Sequence, residues 1–387
     1  MTKPRREFTL TDVASGRWHN DFVLVPSPEL DLAGSDVWSI RKHTMRGGLS
    51  EGVEVVELDN GRLSLSLLPT RGMGVWRGRC DELDLGWKSP VELPVHPAFV
   101  NALDRGGIGW LGGFNEWICR CGLDLNGPPG PEGTLHGRIA NIPAHTVSAA
   151  IDTSGDGTIS VTGIVDESSM FGPNLRLRST IQTIAGSNQF TVIDEVTNRQ
   201  GRPAELELLY HINTGRPFLE PGARCIVPAL EVAPRDPRAA EGIDQYSTYE
   251  APNPGYAEQA YFFDLAVGTD SKTVALLRNA RGDKGLSVEF DRRELPWFTL
   301  WKNTQAEADG YVTGLEPGTN FPNLKSFERS AGRVIKLAAG ESRTFRLQIT
   351  IHTTVEDVAA VESNIARMIG GHAPKVHGQP RPGWSPG

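Results

Sequence analysis

Apolar and polar residues alternate along many short segments of the chain, and this pattern is typical of half-buried β-strands. In the segment 62–68, for example, Leu63, Leu65 and Leu67 share one face while the serines between them share the other. Six further segments show the same alternation: 158–163, 175–182, 189–198, 205–211, 286–290 and 344–352. Together with 43 Gly and 27 Pro residues dispersed between the segments, they predict an all-β sandwich or barrel.

Helix signals are few, and the clearest lies near the end of the chain. Thr354 precedes Asp357 by three residues, as in a helix N-terminal cap, and Gly370 with Gly371 can end the helix. An apolar stripe runs between them through Val358, Val361, Ile365 and Met368. We therefore expect one β domain over residues 15–355, a helix over 356–371, and a flexible Pro- and Gly-rich tail over 372–387.

Charge and cysteine content narrow the function classes. The 387 residues carry a formal net charge of -8, and Lys and Arg are scattered. A nucleic-acid footprint or an anionic membrane surface would need a basic patch, so neither partner is expected. The four cysteines (Cys80, Cys119, Cys121 and Cys225) fit neither zinc-site nor CxxC spacing, and Cys119 and Cys121 would share one strand face.

The sequence also predicts the cellular location of the protein. The N-terminal segment lacks the apolar stretch of a signal peptide, and no run of residues approaches a membrane span. The expectation is a cytoplasmic protein with reduced thiols, and a homodimer is the default assembly because symmetric dimers are common.

Two histidines stand in stretches that could carry chemistry. His136 and Arg138 flank Gly137, which permits a close approach of backbone to a ligand, although an exposed turn would look the same. On the segment 205–213, Leu206, Leu208 and Tyr210 point one way, so Glu207, His211 and Asn213 point the other. That polar face is either the wall of a site, with His211 as a general acid or base, or a solvated strand face.

Three further stretches contain a carboxylate, aromatic rings and an arginine, respectively. Glu316 opens a Pro/Gly-rich segment, which predicts a turn at a sheet edge; an ordinary surface acid is the alternative. Upstream, Trp301 and Lys302 could contact a sugar, whereas Trp297 is expected in the core. Arg71 precedes a Gly-rich turn and could donate to hydroxyls, or it could pair with backbone carbonyls.

These stretches occur in an order that resembles the aldose 1-epimerase (galactose mutarotase-like) superfamily, and in particular its DUF4432 branch. The resemblance covers roughly residues 40 to 350 and rests on PTRGM at 69–73, WLGGFNEWICRCGLD at 110–124, LHGR at 135–138, YHINTG at 210–215 and LEPGTNFPN at 315–323. It implies a large antiparallel β-supersandwich and an isomerase that interconverts sugar anomers without metal or cofactor.

The resemblance also implies roles for individual residues. His211 would protonate the ring oxygen and Glu316 would take the anomeric proton, while His136 and Arg71 would bind the sugar. Arg138, Asn213, Trp301 and Lys302 complete the expected substrate contacts. The chain departs from the family in lacking a clear Asn-Arg pair at Arg71, and only Asp244 is a candidate for the aspartate that binds a sugar hydroxyl.

Two other functions stay open from the sequence. A glycoside hydrolase or lyase on the same fold would need a second acid near Glu316, and Glu207 could serve. A non-catalytic sugar-binding protein would need neither His211 nor Glu316 for turnover.

Overall fold

The computed structural model describes residues 5–30, 32, 37–153 and 157–386. The first half of the described chain is built from thirteen strands. They are β1 (Arg6–Asp12), β2 (Arg17–Trp18), β3 (Phe22–Leu24), β4 (Ser39–Thr44), β5 (Glu54–Asp59), β6 (Leu63–Leu68), β7 (Gly74–Cys80), β8 (Leu83–Leu85), β9 (Ile118–Leu123), β10 (Thr146–Ile151), β11 (Thr158–Ser168), β12 (Asn174–Ile184) and β13 (Gln189–Asn198).

Eleven strands follow in the second half. They are β14 (Ala204–Thr214), β15 (Arg224–Ile226), β16 (Ala229–Pro234), β17 (Gln259–Leu265), β18 (Lys272–Arg278), β19 (Gly285–Asp291), β20 (Trp297–Thr304), β21 (Tyr311–Gly318), β22 (Ile335–Leu337), β23 (Ser342–His352) and β24 (Lys375–Val376). The α-helices within the described residues are α1 (Asp104–Gly107), α2 (Pro237–Ala240), α3 (Lys325–Ser330) and α4 (Val355–Ile369).

The strands form two large sheets. The smaller sheet has ten strands in the order β15-β18-β19-β23-β13-β12-β11-β10-β1-β2. The larger has fourteen, with the path β24-β16-β17-β20-β21-β14-β9-β7-β6-β5-β4-β3 and with β22 and β8 paired beside it. Neighbouring strands are antiparallel, apart from β24, which runs parallel to β16. The predicted all-β supersandwich with few helices is therefore confirmed.

The main core lies between the two sheets, and the predicted alternation fills it. Leu65 of β6, Val161 of β11, Leu177 of β12 and Leu208 of β14 belong to one fully buried cluster. Each of the seven alternating segments lies in a strand of the structure. The strand predictions are confirmed because period-two burial is a local property that the sequence displays directly.

A buried ionic group crosses the core and orients the centre of the larger sheet. Arg120 of β9 donates from Nη2 to Asp194 Oδ1 of the opposite sheet at 3.0 Å, and the Tyr210 hydroxyl donates to Asp194 Oδ2 at 2.8 Å. Tyr210 of β14 therefore points into the core between the sheets. Because strand side chains alternate, its neighbour His211 points to the outer face of the larger sheet.

The terminal helix forms as the sequence predicts. The Thr354 hydroxyl oxygen accepts a hydrogen bond from the Asp357 amide at 3.1 Å, and Gly370 ends the helix with φ of 63°. Val358 and Ile365 are buried against Val274 and Leu276 of β18. No helix among the described residues is long and apolar enough to cross a membrane.

The segment that follows α4, predicted as a flexible tail, is packed against the larger sheet in the structure. It adds β24 to the edge of that sheet, and Trp384 is only 6% exposed in a cluster with Phe262 and Phe321. Aromatic burial by Trp384 supplies the contact that the local composition of the segment does not reveal.

Candidate active site

Glu316 lies inside a central strand, and the predicted turn is wrong. All eight residues of β21 are buried between β14 and β20, and Glu316 pairs with Thr299 of β20. Pairing with β14 stops after Leu315 and resumes at Gly318, which leaves Pro317 where no backbone donor is required. Burial between two long strands thus outweighs the local turn preference of the Pro-Gly dipeptide.

His211 and Glu316 meet on the outer face of the larger sheet. The distance from His211 Nε2 to Glu316 Oε1 is 3.2 Å, and both side chains are almost fully buried. No hydrogen-bond donor is aligned on Glu316 Oε1, which leaves this buried oxygen without a hydrogen-bond partner among the described residues. A buried oxygen of this kind is costly unless it carries a proton itself or a ligand supplies a partner.

Asn213 fixes the orientation and the tautomer of His211. Its Nδ2 donates to the backbone oxygens of Glu116 and His211, at 3.0 and 3.2 Å, so its Oδ1 faces the imidazole. That oxygen lies 2.6 Å from His211 Nδ1 and can only accept, so Nδ1 carries a proton. Nε2 is then the nitrogen that exchanges a proton on the side of Glu316.

Burial shifts the pKa values of Glu316 and His211 so that the neutral form of each group is favoured. Desolvation raises the pKa of Glu316 well above its usual value. Desolvation, and to a smaller extent the nearby His136, lowers the pKa of His211. Both directions favour a neutral carboxyl beside a neutral imidazole, so the exchangeable proton of the pair lies on Glu316 in the resting state.

An aromatic cavity of about 600 Å³ opens above this pair. Phe114 and Trp301 each lie with ring centres 5.2 Å from the His211 ring, and Trp110 lies 4.8 Å from the ring of His136. His136 is in turn 5.6 Å from His211. The cavity floor thus carries two imidazoles and one carboxyl, enclosed by three large apolar rings.

Charged groups stand on the wall beside Trp301. Arg235 pairs through Nη2 with Glu258 Oε1 at 3.0 Å and through Nε with Asp236 Oδ2 at 2.8 Å. The Trp301 indole nitrogen donates to the Glu258 carboxylate. One cation is therefore shared between two carboxylates, and this wall carries a net negative charge.

The predicted LHGR stretch reaches the cavity through His136. The ring is held by its Nδ1, which lies 2.8 Å from the carbonyl oxygen of Asn126, and burial lowers the pKa of the imidazole. Gly137 has a different role from the one expected: a Cβ there would lie 2.2 Å from Leu125 O and 2.5 Å from Gly122 O. The glycine permits backbone packing against β9, not the approach of a ligand.

Four other residues predicted to bind the sugar lie outside the cavity lining. Arg71 is enclosed, with Nε 2.6 Å from Glu116 Oε1 and Nη1 3.0 Å from Val95 O. Lys302 follows Trp301 on β20 and so faces the opposite side of the sheet, where Nζ donates to the carbonyls of Gln245 and Thr248. Arg138 is exposed, and Asn213 supports His211 from behind.

Glu207 and Asp244, the two further carboxylates that the sequence offered as candidates, also lie outside the cavity lining. Glu207 is buried elsewhere, where its Oε1 accepts from Asn320 Nδ2 at 3.0 Å and burial raises its pKa to about 8. Asp244 is exposed in a different cleft, beside Lys302. Asp236 is the aspartate that lines the cavity.

Sequence reasoning missed part of the site. Trp110 and Phe114 lie in a stretch that carried the family resemblance, and their aromatic spacing was a usable signal. Arg235 and Asp236 directly follow β16, and Glu258 directly precedes β17. No local sequence pattern identifies these three residues as part of the site, because the antiparallel pairing of β16 with β17 is what brings them together.

Comparisons with known proteins agree with this architecture. The family model named "Domain of unknown function (DUF4432)" matches residues 50–351. The structure of a putative aldose 1-epimerase from Klebsiella pneumoniae is 34% identical, with a TM-score of 0.93 over 96% of this chain and 98% of that one. No match was found among curated proteins.

More distant structures share the fold. A galactose mutarotase-like protein from Clostridium acetobutylicum is 15% identical, with a TM-score of 0.57 over 81% of this chain and 98% of its own. A galactose 1-epimerase from Lactobacillus acidophilus is 10% identical, with a TM-score of 0.53 over 82% of this chain and all of its own.

Proposed function

The chain belongs to the DUF4432 family and has the galactose mutarotase-like fold, and we propose that it is an aldose 1-epimerase in which Glu316 and His211 interconvert sugar anomers. The observation that carries this proposal is the placement of the two groups, with Nε2 and Oε1 3.2 Å apart at the floor of an aromatic cavity. Acid and base are thus available within reach of one bound sugar.

The reaction needs two proton transfers, and each residue of the pair can carry out one of them. Opening of a pyranose removes one proton from the anomeric hydroxyl and delivers one to the ring oxygen, and the bond between the anomeric carbon and the ring oxygen breaks. Glu316 as carboxylate takes the first proton, and His211, protonated at Nε2, gives the second. Rotation of the aldehyde and reclosure on its other face return both protons, so the pair ends as it began.

The single proton of the resting pair suits this cycle. Burial places it on Glu316, and transfer to His211 creates the carboxylate and the imidazolium that ring opening uses. Asn213 keeps the other imidazole nitrogen protonated, so Nε2 alone exchanges protons with the sugar. Positioned acid–base groups of this kind contribute roughly 10²–10⁴-fold each.

The cavity walls favour a neutral sugar as substrate. Trp110, Phe114 and Trp301 offer apolar faces for the ring hydrogens of a pyranose, and Asp236 and Glu258 offer acceptors for its hydroxyls. Because Arg235 is already shared between those two carboxylates, the wall would repel a phosphate or a uronic carboxylate.

Exchange spectroscopy by ¹H NMR on a panel of equilibrated aldoses tests the proposal. We expect the wild-type protein to raise the exchange rate between the α and β anomeric signals of at least one unphosphorylated aldose, and Glu316→Gln to abolish the increase. Glu207→Gln is the matched control, since it also neutralises a buried carboxyl with a raised pKa but one that does not line the cavity.

The same panel separates the two alternatives. Hydrolysis or lysis of a glycoside would release new reducing ends or unsaturated products, and a binding protein would broaden sugar signals without accelerating anomer exchange. Either result, with no exchange for any aldose, would overturn the proposal.

A further inference from the structure

The segment after α4 returns along the edge of the larger sheet toward the cavity. We call residues 372–386 the C-terminal strap. Its strand β24 pairs with Glu231 and Val232 of β16, and His377 Nε2 lies 2.8 Å from Glu231 Oε2. The strap is therefore attached to the strand whose end carries Arg235 and Asp236.

Trp384 anchors the strap beside the cavity. Its ring packs against Phe321 with the ring centres 5.4 Å apart, and its carbonyl accepts a hydrogen bond from Asn323 Nδ2 at 2.8 Å. The guanidinium of Arg381 covers the indole at 4.3 Å, and Arg333 Nη1 donates to Gly383 O at 2.6 Å. An aromatic anchor with this many partners holds the strap in one position.

The two residues after the anchor line the cavity itself. Ser385 and Pro386 form part of its wall, and the Ser385 hydroxyl donates to the backbone carbonyl of Arg235. Asn323, which holds the Trp384 carbonyl, also lines the cavity. The strap thus contacts two lining residues, Arg235 and Asn323, while the acid–base pair is carried by β14 and β21.

We propose that the C-terminal strap is the part of the sugar site that limits the size of the sugar accepted, closing the cavity around a monosaccharide. This inference rests on the proposed function. It assigns the strap to substrate binding and discrimination and leaves proton transfer to His211 and Glu316. Loss of the strap therefore changes KM and the preference between sugars, whereas kcat for the monosaccharide stays near the wild-type value.

Two strap variants and one control test this. Deletion of 372–387 removes the part of the wall that Ser385 and Pro386 form. Trp384→Ala removes only the side chain that anchors this part and leaves the strands in place. Gln379→Ala, at an exposed strap position away from the cavity, is the matched control. For the most active aldose of the panel we expect KM to rise roughly tenfold, as for the loss of one or two hydrogen bonds. Gln379→Ala should leave KM unchanged.

If the strap had only a structural role, its loss would not change the preference between sugars, so this preference is the quantity to measure. Anomer exchange is measured for the monosaccharide and for disaccharides that carry the same sugar at the reducing end. The ratio of kcat/KM for disaccharide to monosaccharide should rise in both strap variants. An unchanged ratio in folded variants, checked by circular dichroism, would overturn the inference while leaving the proposed function intact.

Failure of the proposed function gives a different result. If the wild-type protein accelerates no anomer exchange, the strap is tested by saturation-transfer NMR with the same sugars. A shift of binding toward disaccharides in both strap variants supports the inference without turnover. Equal binding in all variants, or no sugar binding by the wild type, overturns it.

Discussion

Glu316→Gln is expected to stabilise the protein increasingly as the pH rises, while it removes activity. Glutamine keeps the shape of the side chain and can donate to His211 Nε2, but it needs no proton from solvent to remain neutral in the buried site. The wild-type carboxyl is held protonated by desolvation, because burial raises its pKa well above the usual value.

The sign of the effect follows from proton linkage. A group with a raised folded pKa contributes stability that is fully present below its unfolded pKa, here 4.5, and that is lost as the pH rises through the folded pKa. Above pH 4.5 the unfolded wild type loses the Glu316 proton, whereas the folded protein retains it until the pH approaches its raised folded pKa. Its free energy of unfolding should therefore fall, relative to that of Glu316→Gln, by about 1.4 kcal/mol per pH unit.

Urea unfolding of both proteins at pH 7, 8 and 9 measures this difference. The titration of His211 in the unfolded state, where its ordinary pKa is 6.5, is common to both proteins and cancels in the comparison. Glu207 and Glu167, whose pKa values burial raises to about 8 and about 7, are common to both proteins and cancel in the comparison. Parallel pH profiles for the two proteins would refute a protonated, buried Glu316.

Three further substitutions separate the roles of residues near the pair. Asn213→Leu should lower kcat at least about tenfold with little change in KM, because His211 Nδ1 loses its acceptor; equal kcat in steady-state assays would contradict this. Trp301→Ala should raise KM roughly tenfold through lost ring contact, with Trp301→Phe intermediate, as sugar titrations would show. Lys302→Met should leave KM unchanged but lower the free energy of unfolding by about 1–3 kcal/mol, since two carbonyls lose their donor; a raised KM would place Lys302 at the sugar.

The sequence predicted those parts of the fold whose signal is local. Period-two burial marked the strands, and Thr354 with Gly370 marked the terminal helix. Glu316 was misplaced in a turn because Pro317 and Gly318 carry a strong local turn signal, whereas the two strands that bury them are distant in sequence. A local sequence pattern does not show which distant strand will pair with a segment and bury it.

The same contrast between local sequence signals and long-range contacts applies to the residues of the candidate site. His136 and His211 were predicted from short motifs, and Trp301 from its stretch of β20. Lys302 was grouped with Trp301 by adjacency, although neighbours on a strand face opposite sides. Arg71 was predicted at the sugar, but Glu116, which is 45 positions along the chain, holds it outside the cavity lining.

A double-variant comparison by polarimetry tests most directly whether His211 and Glu316 act as one acid–base pair. The relaxation of optical rotation of a freshly dissolved pure anomer is followed with the wild type, Glu316→Gln, His211→Gln and the double variant. If both groups move the protons of one ring opening, each single variant should be about as slow as the double variant. Losses that multiply in the double variant, or an unchanged rate in either single variant, would contradict the pair.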